Sequence, residues 1–336
     1  MRQHLPRLRV VGEWSVSRRW MAGALVAGTA GAIAAASGLR TRFFPGGPSD
    51  AEMAALYVEP IEPPSRPLRV FHLGHSLVGR DMPAMLAQLA PEGHRYESQL
   101  GWGTTLKAHW EPEIPIAGFE TENAHPRYRD AREALRSGDY DAFVLTEMVE
   151  IRDAIRYFES GKYLAIWAQL AREANPQVRV YLYETWHRLD DPAGWLERLD
   201  LDLGRYWDRR VLRPALSADP GLRPIFLVPA GQVLARFVRE VERRGGVEGI
   251  RSREDLFGRN PDGSLDPIHL NDLGHYLVAL VHFAVLYHRS PVGLPRALRR
   301  ADGSAASVPS APAAEMMQAT AWEVVTGQPM TGVAPG

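Results

Sequence analysis

Short apolar runs alternate with longer stretches of helical period through the middle of the chain. Five runs read as strands: 68–73 (LRVFHL), 95–100 (RYESQL), 141–146 (DAFVLT), 178–184 (VRVYLYE) and 224–229 (PIFLVP). All but the second are almost wholly apolar, as strands covered on both faces are. Between them the spacing predicts helices over 77–90, 127–137, 150–174, 193–215 and 230–245, and a last helix over 271–289. Strands separated by helices require parallel crossovers. The expected fold is therefore α/β: a three-layer α/β/α sandwich around a central parallel sheet of about five strands.

The ends break this pattern. Residues 17–38 (SRRWMAGALVAGTAGAIAAASG) place Arg18-Arg19 before an uncharged, Ala/Gly-rich run, with Arg40 and Arg42 after it. That is the three-part layout of an export signal. The start resembles a twin-arginine signal, although Met21, Ala22 and Gly23 stand where Phe, Leu and Lys are usual. The run also approaches the roughly 20 residues that span a bilayer, so an uncut membrane anchor is the alternative to a cleaved leader. Residues 1–40 are thus expected to send the chain to the periplasm, free or attached to the membrane by its N-terminus. FPGGPSD and EPIEPPSRP mark 41–66 as an extended Pro-rich linker. The folded domain is expected over 67–290, with 291–336 as a C-terminal extension ending in a short amphipathic piece over 314–325.

Composition narrows the function. Apolar residues make up 45% and charged residues 24%, with a net charge of -1, so an ordinary core is expected and no nucleic-acid partner. The absence of Cys excludes disulfides, thiol nucleophiles and thiolate metal sites. His275, His282 and His288 on the last helix are seven and six residues apart, too far for a tight ligand cluster, and no metal or other cofactor is expected.

In parallel sheets, sites gather at the carboxyl ends of the strands. Gly74-His75-Ser76 follows the first run, Gly101-Trp102-Gly103-Thr104 the second, Glu147-Met148 the third and Trp186-His187 the fourth; Asp266 and His269 precede the last helix. A serine hydroxyl becomes a nucleophile when an imidazole takes its proton and a carboxylate orients that imidazole. Ser76, His269 and Asp266 supply those types. The backbone N–H groups of Ser76 and of Gly103, or of Gly101, are candidates for the oxyanion hole. The bland reading of Ser76 is an N-cap for a helix beginning at Leu77. His72 is expected to pack beside the sheet, and His75 to position the turn.

The GHSL turn and DPIHLNDLGHY together resemble the first and last blocks of the SGNH (GDSL-type) hydrolases, with block order and spacing kept over about residues 68–290. The resemblance implies a flavodoxin-like fold and ester hydrolysis, with Ser76 as nucleophile, His269 as base, Asp266 as its orienting acid and Gly103 as the second-block glycine. Two positions depart from the family pattern. His75 replaces the usual Asp or Asn. The third block, VLTEMVE, lacks the Asn whose side chain normally completes the oxyanion hole; His187 and Thr146 are candidate substitutes. Glu147, His187, Trp110 and Trp186 are candidate substrate contacts, the Trp rings either stacking on a sugar or acyl chain or packing the rim. The expected activity is cleavage of a small-molecule or carbohydrate ester such as an O-acetyl sugar, or acyl transfer by the same residues. A non-catalytic glycan-binding envelope protein is the alternative.

Overall fold

The computed structural model describes residues 47–335. The expected export segment over 1–40 and the start of the expected linker lie outside the described residues. Strands β1 (Arg69–Leu73), β2 (Arg95–Gln99), β3 (Ala142–Leu145), β4 (Arg179–Glu184) and β5 (Phe226–Pro229) form one parallel sheet in the order β2-β1-β3-β4-β5. In register, Leu73 stands beside Gln99 on one side and Leu145 on the other. This is the doubly wound order whose direction of winding reverses between β1 and β3. The crevice beyond the carboxyl ends of those two strands is where such sheets place ligands.

The sheet is covered on both faces. Helices α2 (Asp81–Leu89), α10 (Ala230–Arg244), α11 (Asp272–Tyr287) and α12 (Ala311–Gly327) pack together in one layer. Helices α3 (Leu106–Trp110), α5 (Ala131–Arg136), α7 (Ser160–Ala174) and α9 (Arg213–Ser217) pack in the other. Period-two alternation along the strands sends neighbouring residues to opposite layers. Phe71 and Phe143 meet on one face, where Trp167 of α7 stands 6.4 Å from the Phe143 ring. His72 and Tyr183 lie on the other, where His282 of α11 is 6.0 Å from the first and 4.7 Å from the second.

Several boundaries differ from the sequence expectation; the helix expected over 127–137, for one, starts at Ala131. The helix expected from residue 77 starts at Asp81, after a turn in which the Val78 and Gly79 amides return to the His75 carbonyl. The long helix expected over 150–174 is two, α6 (Ile151–Phe158) and α7, separated at Glu159, whose φ is 54°. The expected linker holds a helix, α1 (Asp50–Leu56), capped by Ser49 and Glu52, with Met53 and Tyr57 buried in the core. The expected C-terminal extension is no appendage: Met317, Ala321 and Val325 of α12 join the same core, and Gly332 O accepts from the Ile61 amide. Among the described residues, no helix is long and apolar enough to cross a membrane.

Candidate active site

Three sequence candidates meet at the carboxyl end of β1. His269 Nδ1 lies 2.8 Å from Asp266 Oδ2, and His269 Nε2 lies 2.9 Å from Ser76 Oγ. A ring nitrogen facing a carboxylate carries the proton, so Nε2 is left as the acceptor aimed at the serine hydroxyl. Asp266 stays charged. Partial burial works against the charge, but the His269 and Ile268 amides and the His269 ring outweigh it and hold the carboxyl below its ordinary value.

The geometry of this pair comes from an irregular hairpin that sequence reasoning missed. Strands β6 (Phe257–Arg259) and β7 (Leu265–Leu270) are antiparallel, with Phe257 opposite Leu270 and Arg259 opposite Leu265. Gly258 alone therefore faces the whole of Asp266–His269. A bulge of this size curls its strand and re-aims side chains. Here the curl lets Asp266 Oδ1 accept from the Ile268 and His269 amides at 2.9 and 3.0 Å. The outward carbonyls of the curl are held by the loop after β4: the Leu189 amide donates to Pro267 O and the Trp186 indole to Ile268 O, each at 2.8 Å. Just beyond, Asn271 caps α11 and donates its amide to the carbonyls of Asp255 and Phe257.

Ser76 sits in the turn rather than at a helix start, which removes the N-cap reading. Its support is a set of buried polar groups. Gly74 is required by packing, since a Cβ there would lie 2.6 Å from Thr146 Cγ2 and 3.0 Å from Val78 Cγ2. His109 Nε2 donates to the Gly74 carbonyl at 2.9 Å, and its Nδ1 accepts from the Gln99 side chain. Beyond the serine, the Tyr183 hydroxyl donates to the Leu77 carbonyl. His75 donates from Nε2 to the Glu147 carbonyl at 2.8 Å, while its Nδ1 accepts from the Leu77 amide. Burial pushes His75 and His109 down to about 4, so both rings are neutral and each has one donor and one acceptor to place.

Glu147 occupies the position at the end of β3 where the resemblance calls for an Asn, but it does not face a substrate. Its side chain is fully buried, with Oε1 accepting from the Leu106 and Met148 amides. Oε2 lies toward the Ser160 hydroxyl without a well-aligned bond. Burial pushes its carboxyl up to about 7. Glu147 thus binds three segments together: the serine turn through its carbonyl, the Gly103 loop through Leu106, and α7 through its packing on Ser160.

That loop leaves Gly103 exposed, with φ +53° and nothing within 4 Å of a Cβ placed on it. Among the described residues, neither the Ser76 nor the Gly103 amide donates to a protein acceptor.

Neither expected replacement for the Asn reaches the site. His187 is buried with Nε2 3.2 Å from Asp202 Oδ2, off the line of a hydrogen bond, inside an ion cluster around Arg198. Thr146 is buried, its methyl against Gly74 and its hydroxyl turned to the Glu147 carbonyl. Trp186 is 1% exposed, so as a substrate contact it is corrected: it braces the Asp266–His269 curl instead. Trp110 lines a groove of ≈ 410 Å³ together with His109, Ile116 and Phe119, its ring edge-on to Trp167 and beneath the Arg132 guanidinium. Among the described residues, no group of three or more His, Asp or Glu is placed to hold a metal ion.

No family profile and no curated protein matches the chain. Two solved structures align with it over part of its length. A DUF4886 family protein from Bacteroides uniformis is 16% identical, with a TM-score of 0.47, covering 77% of this chain and 95% of its own. A salicylyl-acyltransferase from a tetracycline biosynthetic pathway is also 16% identical, with a TM-score of 0.33, covering 65% of this chain and 53% of its own.

Proposed function

We propose that the chain is an exported serine hydrolase of the SGNH type that removes an acyl group, such as O-acetyl, from a carbohydrate ester. The observation that carries the reading is the unbroken hydrogen-bond line from Asp266 through His269 to Ser76. Ser76 Oγ attacks the ester carbonyl as His269 Nε2 takes its proton, and Asp266 stabilises the imidazolium. The carbonyl oxygen gains its charge facing the Ser76 and Gly103 amides. The intermediate then collapses: the C–O bond to the alcohol breaks, His269 returns the proton to that oxygen, and the acyl group stays on Ser76. Water, deprotonated by His269, then bonds to the acyl carbon, the bond from that carbon to Ser76 Oγ breaks, and His269 returns the proton to Oγ as the acid leaves; a sugar hydroxyl in place of water would give acyl transfer. Among the described residues neither His187 nor Thr146 stands in place of the Asn, so the oxyanion rests on backbone amides, and a turnover lower by about 10²–10³ than with three donors is expected.

The same gap is what favours the second reading, a glycan-binding protein that does no chemistry. Hydrolysis of p-nitrophenyl acetate separates the two. The hydrolase reading requires activity in the wild type that falls to background in Ser76→Ala, and equal rates in both proteins would remove it.

A further inference from the structure

We propose that the indole of Trp102 is the platform on which a pyranose ring of the substrate stacks. The inference rests on the hydrolase reading above and names the kind of alcohol that site accepts. Trp102 precedes Gly103 and is 51% exposed, unlike Trp186, which is buried beneath the site. An exposed Trp on a loop usually moves freely; this one is fixed on three sides. Its backbone N–H donates to Ala117 O at 2.7 Å, and its Nε1 donates to Glu122 Oε1 at 2.7 Å. Its ring lies directly against Gly118, where φ is +68° and a Cβ would stand 2.2 Å from Cδ2 and 2.3 Å from Cε2. Only glycine allows both that backbone conformation and that approach.

The result is a rigid aromatic surface, half open to solvent, carried on the loop that Glu147 ties to the serine turn. A pyranose matches it. Its C–H face packs on an indole, while its hydroxyls stay in water or reach the half-buried Glu122 carboxylate beside the ring. An acyl chain would gain little from an open, half-solvated surface, because its binding comes from enclosure.

The test compares methyl 6-O-acetyl-glucopyranoside, whose other hydroxyls are free, with ethyl acetate, which has no ring, for wild type, Trp102→Ala and Trp102→Phe. A stacked ring predicts that Trp102→Ala raises KM for the glucoside about tenfold with kcat within about twofold, and that Phe restores most of the loss. The ratio of kcat/KM for the glucoside to that for ethyl acetate then falls about tenfold. Titration calorimetry in the Ser76→Ala background decides the same point without turnover: Kd for the glucoside weakens about tenfold when Trp102→Ala is added. An unchanged ratio and an unchanged Kd overturn the platform. Failure of the wild type on both esters overturns the hydrolase reading instead, and the calorimetric result still shows whether the platform binds a sugar.

Discussion

His75 donates a hydrogen bond to the backbone carbonyl of Glu147, joining the turn that carries Ser76 to the end of the neighbouring strand β3. The side chain of the same glutamate holds the loop that carries Gly103. The proposed nucleophile and one proposed oxyanion donor are therefore tied together by Glu147, beside the second buried link that His109 makes to the Gly74 carbonyl.

Glu147→Gln tests the state of that residue. Burial raises the carboxyl from 4.5 to about 7, so the folded protein holds the proton below that value while the unfolded chain loses it above 4.5. Wild-type stability from this group is complete near pH 4.5 and lost as pH rises to 7. Gln keeps both amide bonds to Oε1, stays neutral at all pH, and offers a donor to the unpaired Ser160 hydroxyl. Each tenfold change in proton affinity between the folded and unfolded chain is worth about 1.36 kcal/mol. Gln is therefore expected to stabilise the protein at pH 8 by on the order of 3 kcal/mol, with no gain at pH 4.5. Urea midpoints at the two pH values read the difference; an equal effect at both contradicts the assignment.

Gly74→Ala tests the packing beneath the serine turn. The added methyl meets Thr146 Cγ2 at 2.6 Å. Overpacking of this kind costs about 1–3 kcal/mol. Thr146→Ser removes the opposing methyl, so the double variant should recover much of the lost thermal stability. Additive losses in the double-mutant cycle would show that the two residues do not oppose each other.

Trp186→Phe tests the bracing of the Asp266–His269 curl. It keeps the ring but removes the donor to Ile268 O. A misplacement of reacting groups by a fraction of an ångström lowers rates steeply, and kcat is expected to fall by about 10-fold or more with KM little changed. A rise in KM alone would instead make Trp186 a substrate contact, as the sequence suggested.

Acid stability follows from the buried histidines. Burial pushes His75, His94, His109, His282 and His288 down to about 4, and His72 well below its ordinary value. As pH falls below 6.5 the unfolded chain takes up protons at these six positions and the folded protein does not, so stability is lost between 6.5 and 4. Glu147 and Glu184, raised to about 7 and 8, act in the opposite sense over the same range. Six against two, with His125 and His275 also lowered by burial, leaves a net loss, each unmatched proton contributing about 1.36 kcal/mol for every tenfold change in acidity. Maximum stability is expected near pH 6.5, with a slow decline toward 8 and a steep one toward 4.5. A denaturant midpoint that stays flat from pH 6.5 to 4.5 would contradict this.

Much of the architecture was legible because buried parallel strands are short and apolar. The strand ends named loops that the structure brings together, and the Asp266-to-His269 spacing marked a pair that does meet. Orientation was not legible. Trp186 and His187 both follow β4, but whether a ring faces the crevice or the core depends on the curl of β7 and on the Arg198 ion cluster, neither of which leaves a periodic trace. Some signals were present and outweighed. Pro83 lacks an amide proton and belongs in a first helical turn, which sets the start of α2 near Asp81. Ser49 and Glu52 form a capping box inside a Pro-rich stretch that otherwise reads as linker.

The proposed chemistry requires that His269 activate Ser76. Intact-protein and peptide mass spectrometry after treatment with a fluorophosphonate measures it directly. A single adduct on Ser76 is predicted, absent in Ser76→Ala and slowed by orders of magnitude in His269→Ala. No adduct on the folded wild type, or an adduct that persists in Ser76→Ala, would contradict the account.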